Sequence, residues 1–485
     1  MNGGEDKTIY RTIVKATGLF GGTKVFTILC SIIKTKLVAV WLGAEGVGII
    51  GLYQNTVEMI SSLTRLGIGT SSVRDLSRAF KSGNWDRFAS LVSVVRRWVW
   101  FTGLLGAVIM LTFAPLLSRY TFGDSQHIWG YVFLSSALLF TTLTEGERAV
   151  IQASDRLRVL ARCSVLGSVL ALALSLPLFY LYGISGIVPA IIVHTFSIWL
   201  VTGILGRRMK IKPVKISWGE TYRQGKDIAS LGIYMTVSGF VTTLYSYVFV
   251  AWLNSHSGTG EVGYFQAGYT LVMQYVGLVF TAMSMEYYPR LSVVCEDRAL
   301  LSGHVSRQVE TSLLILFPFI SLFLVFQDVI IHLLYTSDFL AIGGYISWAA
   351  LGMLFRAFSW SVSFVLLAKG AGRFYLITEV LADSLMFVLY LLGYTRWGLA
   401  GVGIAYLLAY LCSGVGIYLL CRVKFGLRVP VNLFFYLLAY AAVCYGVWQL
   451  ESNGLWIGAS LLTLCICLYS LFRLKRLLSG GGGRG

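Results

Sequence analysis

Six cations stand in stretches of sequence otherwise too apolar to hold them. Lys24, Lys34, Lys36, Arg65, Arg148 and Arg356 all lie inside long hydrophobic runs. On insertion scales a Lys or Arg at the centre of a spanning helix costs about 2.5–3.5 kcal/mol, so such residues face protein or a water-filled cavity. Helical spacing agrees with that placement. Thr17, Gly21, Lys24, Thr27, Ser31 and Lys34 recur three or four residues apart and make one polar stripe. Gln54, Glu58, Ser61, Arg65 and Gly69 make a second stripe, Thr141, Glu145, Arg148 and Gln152 a third, and Gly352, Arg356, Ser359 and Ser363 a fourth. A cavity richer in cations than in unpaired acids suits an anionic ligand, and Arg and Lys suit phosphate best. Lys24, Lys34, Arg65, Arg148 and Arg356 are therefore the expected anion path, with Thr27, Ser31, Gln54 and Glu58 on its polar wall.

The acids Glu58, Glu145, Glu147, Glu310, Glu379 and Asp383 also fall within apolar runs. Glu145, Glu310 and Asp383 are candidates to carry a coupling proton or Na⁺, and each is equally able to pair with a nearby cation. Structural ion pairs are the competing reading, with Glu145 on Arg148 one turn away or Glu58 on Lys34 across the first two spans. Lys36 either lines the path or snorkels to the outer surface. His194 has no partner motif around it and reads as a satisfied buried histidine.

The elements that must position these groups follow from composition. Of the 485 residues, 56% are hydrophobic and only 13% charged, so lipid is the solvent to reason with. Runs long enough to span a bilayer, about 20 apolar residues each, recur from Thr12 to Phe472. They predict an all-α polytopic membrane protein of about fourteen transmembrane helices. The chain opens with no short apolar core and cleavage site, so the first helix is expected to stay. The net charge of +17 reflects topology and not nucleic-acid binding. The great majority of the 39 Lys and Arg residues fall at the N-terminus, in the even-numbered connections and in the tail, and only Arg119 and Arg396 in the odd-numbered ones. By the positive-inside rule both termini are cytoplasmic.

An internal repeat divides the span set. Gly183-Ile184-Ser185-Gly186-Ile187-Val188 recurs as Gly398-Leu399-Ala400-Gly401-Val402-Gly403, an offset of 215, and Trp41-Leu42 with Gly51-Leu52-Tyr53-Gln54 recurs as Trp252-Leu253 with Gly263-Tyr264-Phe265-Gln266, an offset near 212. An even number of helices separates the copies, so the halves share one orientation, related by an axis along the membrane normal. The expected organisation is a six-helix lobe over 1–206, a basic cytoplasmic linker over 207–227, a second six-helix lobe over 228–422, an extra helix pair over 429–474 and a flexible tail over 475–485. Lys24 and Arg65 have Thr and Gly near their repeat equivalents, positions 236 and 277, so the fold itself does not demand a cation there.

Two blocks resemble a known family. Lys36-Leu37-Val38-Ala39-Val40-Trp41-Leu42-Gly43-Ala44-Glu45-Gly46-Val47-Gly48 is similar to the start of O-antigen repeat-unit and enterobacterial lipid III flippases. The run Gly263-Tyr264-Phe265-Gln266-Ala267-Gly268, Gln274 to Met283 and Tyr287-Tyr288-Pro289-Arg290-Leu291 resembles the eighth helix of oligosaccharide flippases in the multidrug/oligosaccharidyl-lipid/polysaccharide (MOP) superfamily. The resemblance implies two six-helix lobes in a V, as in the multidrug exporters, around a central cavity walled by the first, second, seventh and eighth helices. Gln266 and Gln274 then join the polar wall and Arg290 the head-group path. It further implies a flippase in the bacterial inner membrane that moves an undecaprenyl-diphosphate-linked oligosaccharide outward for surface polysaccharide such as the O-antigen of lipopolysaccharide, with membrane lipids and polysaccharide polymerase machinery as partners. The chain departs from the multidrug exporters in having no acid in its first or seventh span, and its fourteen helices resemble the lipid II flippase.

Two rival functions predict other features. A cation-coupled multidrug exporter wants an unpaired cavity carboxylate as its main ligand, whereas cations are the clearer feature here. A membrane polysaccharide polymerase or ligase wants sizeable outward loops and a catalytic constellation. The outward connections are short, and their acids, Glu45, Asp124, Glu261, Asp338 and Glu451, are scattered singly. The eight cysteines show no metal-ligand spacing. The expectation is a transporter with no cofactor and no metal, and not an enzyme.

Overall fold

Backbone polar groups that no water can reach must bond within their own segment, which in long apolar runs means helices. In a computed structural model every regular element among the described residues is helical. The described backbone runs over residues 3–480 apart from 66, 210, 212, 213 and 215. The side chains of 3–21, 68–71, 224–235, 275, 278, 281, 282, 285, 289 and 478–480 also lie outside the described residues. Thr17, Gly21 and Gly69 of the expected stripes, Lys210, Lys212, Lys215 and Lys226 of the linker, and the Gly-rich end are among those left outside.

The helices are α1 (Gly3–Thr64), α2 (Ile68–Lys81), α3 (Trp85–Phe122), α4 (Ile128–Ala153), α5 (Leu157–Tyr182), α6 (Ile187–Arg207), α7 (Trp218–Ser257), α8 (Thr259–Tyr269), α9 (Leu278–Val294), α10 (Arg298–Val325), α11 (Gln327–Leu334), α12 (Gly343–Ala368), α13 (Gly372–Phe425), α14 (Val431–Ser452) and α15 (Trp456–Gly480). A π-helical stretch, Thr270–Val276, joins α8 to α9. Nine stretches among the described residues are long and apolar enough to cross a membrane. Three of them contain two passes each, turning at Gly43, at Gly183 to Gly186 and at Trp397 and Gly398. With α4 and the α8–α9 pass, nine plus three plus two gives the fourteen expected.

The repeat is visible in the backbone. α4 and α12 are both 26 residues long, and their ends, 128 and 343, 153 and 368, stand 215 apart. Gly183 and Gly398 share a left-handed turn, φ +55° and +59°, that an L side chain rarely adopts. A Cβ on Gly48 would collide with the Thr259 carbonyl, and one on Gly263 with the Ala44 carbonyl. That contact is reciprocal at an offset of 215, so residue 48 and not residue 51 is the equivalent of 263. The offset near 212 came from a short motif, which a slip of three residues still satisfies.

Packing draws a different division from the repeat. The chain forms two units, Met1–Gly263 and Tyr264–Gly485, and α7 packs on α1, α2 and α3 of the first. Across α1 and α7, Ser62 and Thr243 hydroxyls lie 2.6 Å apart and Ser246 donates to Asn55 Oδ1 at 3.0 Å. The expected linker over 207–227 is helical again from Trp218, because the Ser217 hydroxyl caps α7 by accepting from the Glu220 amide at 3.2 Å. The expected tail from 475 is likewise helical to Gly480. In the second unit α14 and α15 pack on α10, where Phe317 stacks on Tyr440 at 4.3 Å and Arg473 pairs with Glu310 at 3.0 Å.

Candidate functional site

At about 1.5 Å of rise per residue, depth can be counted from the turn at Gly43. Lys34 lies about 14 Å below that turn and Lys24 about 28 Å, in a hydrocarbon core about 30 Å thick. Arg65, just past the end of α1, is about as far from that turn on the second pass. The first unit therefore sets Arg65 and Lys24 at the membrane edge away from the Gly43 turn, and Lys34 near mid-membrane.

Arg65 uses its whole fork. Nε donates to Ser61 Oγ at 2.5 Å, Nη1 pairs with Glu145 Oε1 at 2.8 Å and Nη2 with Glu58 Oε2 at 3.4 Å. Glu58, Ser61 and Arg65 belong to one expected stripe, and α4 supplies the third partner from a second. Neither of the ion pairs considered on sequence is formed. Arg65, reaching in from the end of α1, takes both carboxylates, and Arg148 keeps its Nε buried without a hydrogen-bond partner among the described residues. Glu145 still feels the charges of both Arg65 and Arg148. The pair is not sealed, since 54% of the Glu58 side chain and 36% of the Glu145 side chain remain exposed.

Lys34 is different. Among the described residues no carboxylate lies within ion-pair distance of it. His194 of α6 lies close enough to feel its charge, and among the described residues the His194 Nδ1 is buried with no hydrogen-bond partner, so the histidine is not satisfied as expected. Thr27 and exposed Ser31 share the face of α1 that carries Lys24 and Lys34. The Thr27 hydroxyl donates to the Lys24 carbonyl at 2.9 Å. Exposed Gln54 lies one turn outward of Glu58. Lys36 has partners of its own.

The second unit does not gather its expected residues. Arg356 on α12 donates to Met273 Sδ at 3.1 Å and to the Tyr406 hydroxyl at 3.2 Å, with its guanidinium over the Phe280 and Tyr410 rings at 5.3 and 5.6 Å. Met273 comes from the π-helical stretch, a geometry that often marks functional sites. Gln274 is exposed on the same stretch and Gln266 half-buried on α8. Arg290 pairs with Glu286 one turn away on α9, both largely exposed. Glu310 is taken by Arg473. Asp383 stands one turn from Glu379 on α13 and has a partner of its own. Polar groups of α7, namely Thr243, Ser246 and Tyr247, whose hydroxyl meets Thr121 at 2.7 Å, were missed on sequence. Their spacing on α7 was the available signal.

Comparison with known proteins agrees with this architecture. The pattern of a family described as "Polysaccharide biosynthesis protein" matches residues 37–343. The lipid III flippase of Escherichia coli (strain K12) is 23% identical over 435 residues, covering 83% of this chain and 98% of that protein. Among solved structures, an inward-facing MATE family multidrug resistance transporter of the MOP superfamily matches with a TM-score of 0.71 at 14% identity, covering 82% of this chain and 94% of that one. The inward closed lipid II flippase MurJ matches with a TM-score of 0.70 at 15% identity, covering 95% and 99%. These likenesses establish the fold as that of the MOP superfamily.

Proposed function

Because the chain belongs to the polysaccharide biosynthesis protein family, we propose that it is a flippase carrying an undecaprenyl-diphosphate-linked oligosaccharide from the cytoplasmic to the outer leaflet of the bacterial inner membrane. The observation that carries this reading is Lys34, an ammonium group near mid-membrane with no carboxylate partner among the described residues. An unpaired cation there is costly, and a diphosphate in transit is the ligand that gives it a partner. The E. coli relative, named for flipping lipid III, supports the substrate class.

Polyprenyl diphosphate joins a charged head to a very long apolar tail, so the head needs a hydrated cationic path while the tail stays in lipid. Lys24 and Arg65 meet the head group at the inner edge. As Arg65 turns from Glu145 toward phosphate, Arg148 takes over the carboxylate, so no charge is stranded. Lys34 then receives the diphosphate about 14 Å below the outer turn. A membrane potential, negative inside, adds about 2.3 kcal/mol per charge per 100 mV in the outward direction for an anion. Arg356, enclosed by sulfur and rings, holds the second unit's helices together, and Glu310 fastens α15.

Depletion of the protein in cells tests the reading. The lipid-linked oligosaccharide is expected to accumulate on the cytoplasmic face, and Lys24→Ala or Arg65→Ala at normal expression is expected to reproduce it. Accumulation of unpolymerised units on the outer face would point to a polymerase, and unchanged flipping would point to an exporter.

A further inference from the structure

A second cationic site lies outside this path. At the ends of α3, α4 and α6 that carry the basic connections, Arg96, Trp100, Glu147, Trp199, Gly203 and Arg207 line a groove of about 190 Å³. Arg96 grips Glu147 with two hydrogen bonds, Nε to Oε1 at 2.6 Å and Nη2 to Oε2 at 2.9 Å. Arg207 is exposed, and among the described residues no carboxylate lies within ion-pair distance of it. Two guanidiniums against one carboxylate leave the groove a single positive charge.

Its surroundings belong to a membrane surface. Arg96 begins a face of α3 that continues through Trp100, Leu104, Val108 and Leu111, each at least 43% exposed. Going outward, this face reads cation, indole, then aliphatic side chains, the order of head group, interface and acyl chain in a leaflet. Gly203 leaves the floor open, since a Cβ there meets nothing within 4 Å. Arginine forks match phosphate oxygens in pairs.

The structure assigns this groove to the phosphodiester of an anionic glycerophospholipid of the inner leaflet, bound by Arg207 and the outer edge of Arg96, with one acyl chain along the Trp100 to Leu111 face. The single net charge fits a monoanionic head group, and the site stands apart from the Lys24, Lys34 and Arg65 path.

Native mass spectrometry of the purified full chain tests the assignment with phosphatidylglycerol, phosphatidylcholine and inorganic phosphate as probes. The parent is expected to retain one phosphatidylglycerol at least tenfold more strongly than phosphatidylcholine, and inorganic phosphate is expected not to compete at equal concentration. Arg207→Gln is expected to remove most of that preference. Gly203→Leu, which fills the groove and favours helix, is expected to do the same with an unchanged melting temperature. Equal retention of the two lipids, parent-like preference in both variants, or displacement by inorganic phosphate would each overturn it.

Discussion

The contact between the second and fourth helices of each repeat holds a cation in both units, yet the cation comes from opposite sides. At the offset of 215, Glu58 corresponds to Met273, Arg65 to Phe280 and Thr141 to Arg356. In the first unit Arg65 reaches from the α1 side to Glu145 on α4 and to its own Glu58. In the second unit Arg356 reaches from α12 to Met273 and Phe280, the positions that Glu58 and Arg65 occupy in the other copy. What the fold keeps is a place for a cation and not a particular residue. The two surroundings suit different tasks. Partly exposed carboxylates can be exchanged for a passing phosphate, while the sulfur and aromatic cage puts no carboxylate within ion-pair distance of Arg356 among the described residues, Glu379 acting on it only through space, and binds the helices instead.

The largest loss of stability is therefore expected at Arg356. Truncation by Arg356→Ala removes cation–π contacts and opens a void, at about 2–4 kcal/mol, measured by denaturation in detergent. Arg356→Met fills the space and is expected to recover at least half of the loss, and a smaller effect of Arg356→Ala than of Arg65→Ala would break the comparison. Arg65→Ala is expected to cost about 2 kcal/mol, below the 3–5 of a sealed pair because its partners are partly exposed. Adding Glu145→Gln to Arg65→Ala is expected to leave flipping as low as Arg65→Ala alone, since it does not replace the cation.

Smaller effects sharpen the assignment of Glu310. Breaking its pair by Arg473→Gln is expected to cost about 1 kcal/mol and to leave flipping unchanged, whereas abolished flipping would return Glu310 to a coupling role. The smallest effect lies in the loop after α3. Burial pushes the Asp124 carboxyl up, but the hydrogen bond and charge of His127, 2.9 Å away, outweigh it and hold it below the usual carboxylate range. A lowered carboxyl contributes stability above its unfolded value, about 3.9, and loses it as pH falls through the folded value. Asp124→Asn is expected to flatten that slight acid dependence, read as melting temperature against pH.

Much of this was legible in the sequence because it is local. Fourteen passes follow from the length of apolar runs, and the Glu58, Ser61 and Arg65 cluster follows from helical spacing on one element. The partner of Arg65 was not legible, since Glu145 stands on α4 and only tertiary packing decides whether Arg65 or Arg148 reaches it first. Membership of α7 in the first unit was hidden for a similar reason. Sequence similarity to a repeat copy reports ancestry, whereas the Thr243 and Ser246 hydroxyls that bind α7 to α1 report packing. The π-helical stretch at Thr270–Val276 leaves no mark in hydrophobic periodicity over so few residues, so the position of Met273 against Arg356 emerged only from the structure.

Lys34, with no carboxylate partner among the described residues, is proposed to stand in the membrane for an anion to meet. The most direct test is Lys34→Met beside the parent, both reconstituted in vesicles, with transbilayer movement of an undecaprenyl-diphosphate oligosaccharide and melting temperature measured on the same preparations. A hydrogen bond to a charged group is worth about 1.5–3 kcal/mol, so flipping is expected to fall about tenfold to hundredfold while the melting temperature rises. Parent-level flipping, or a fall in both quantities, would show instead that Lys34 is a structural residue.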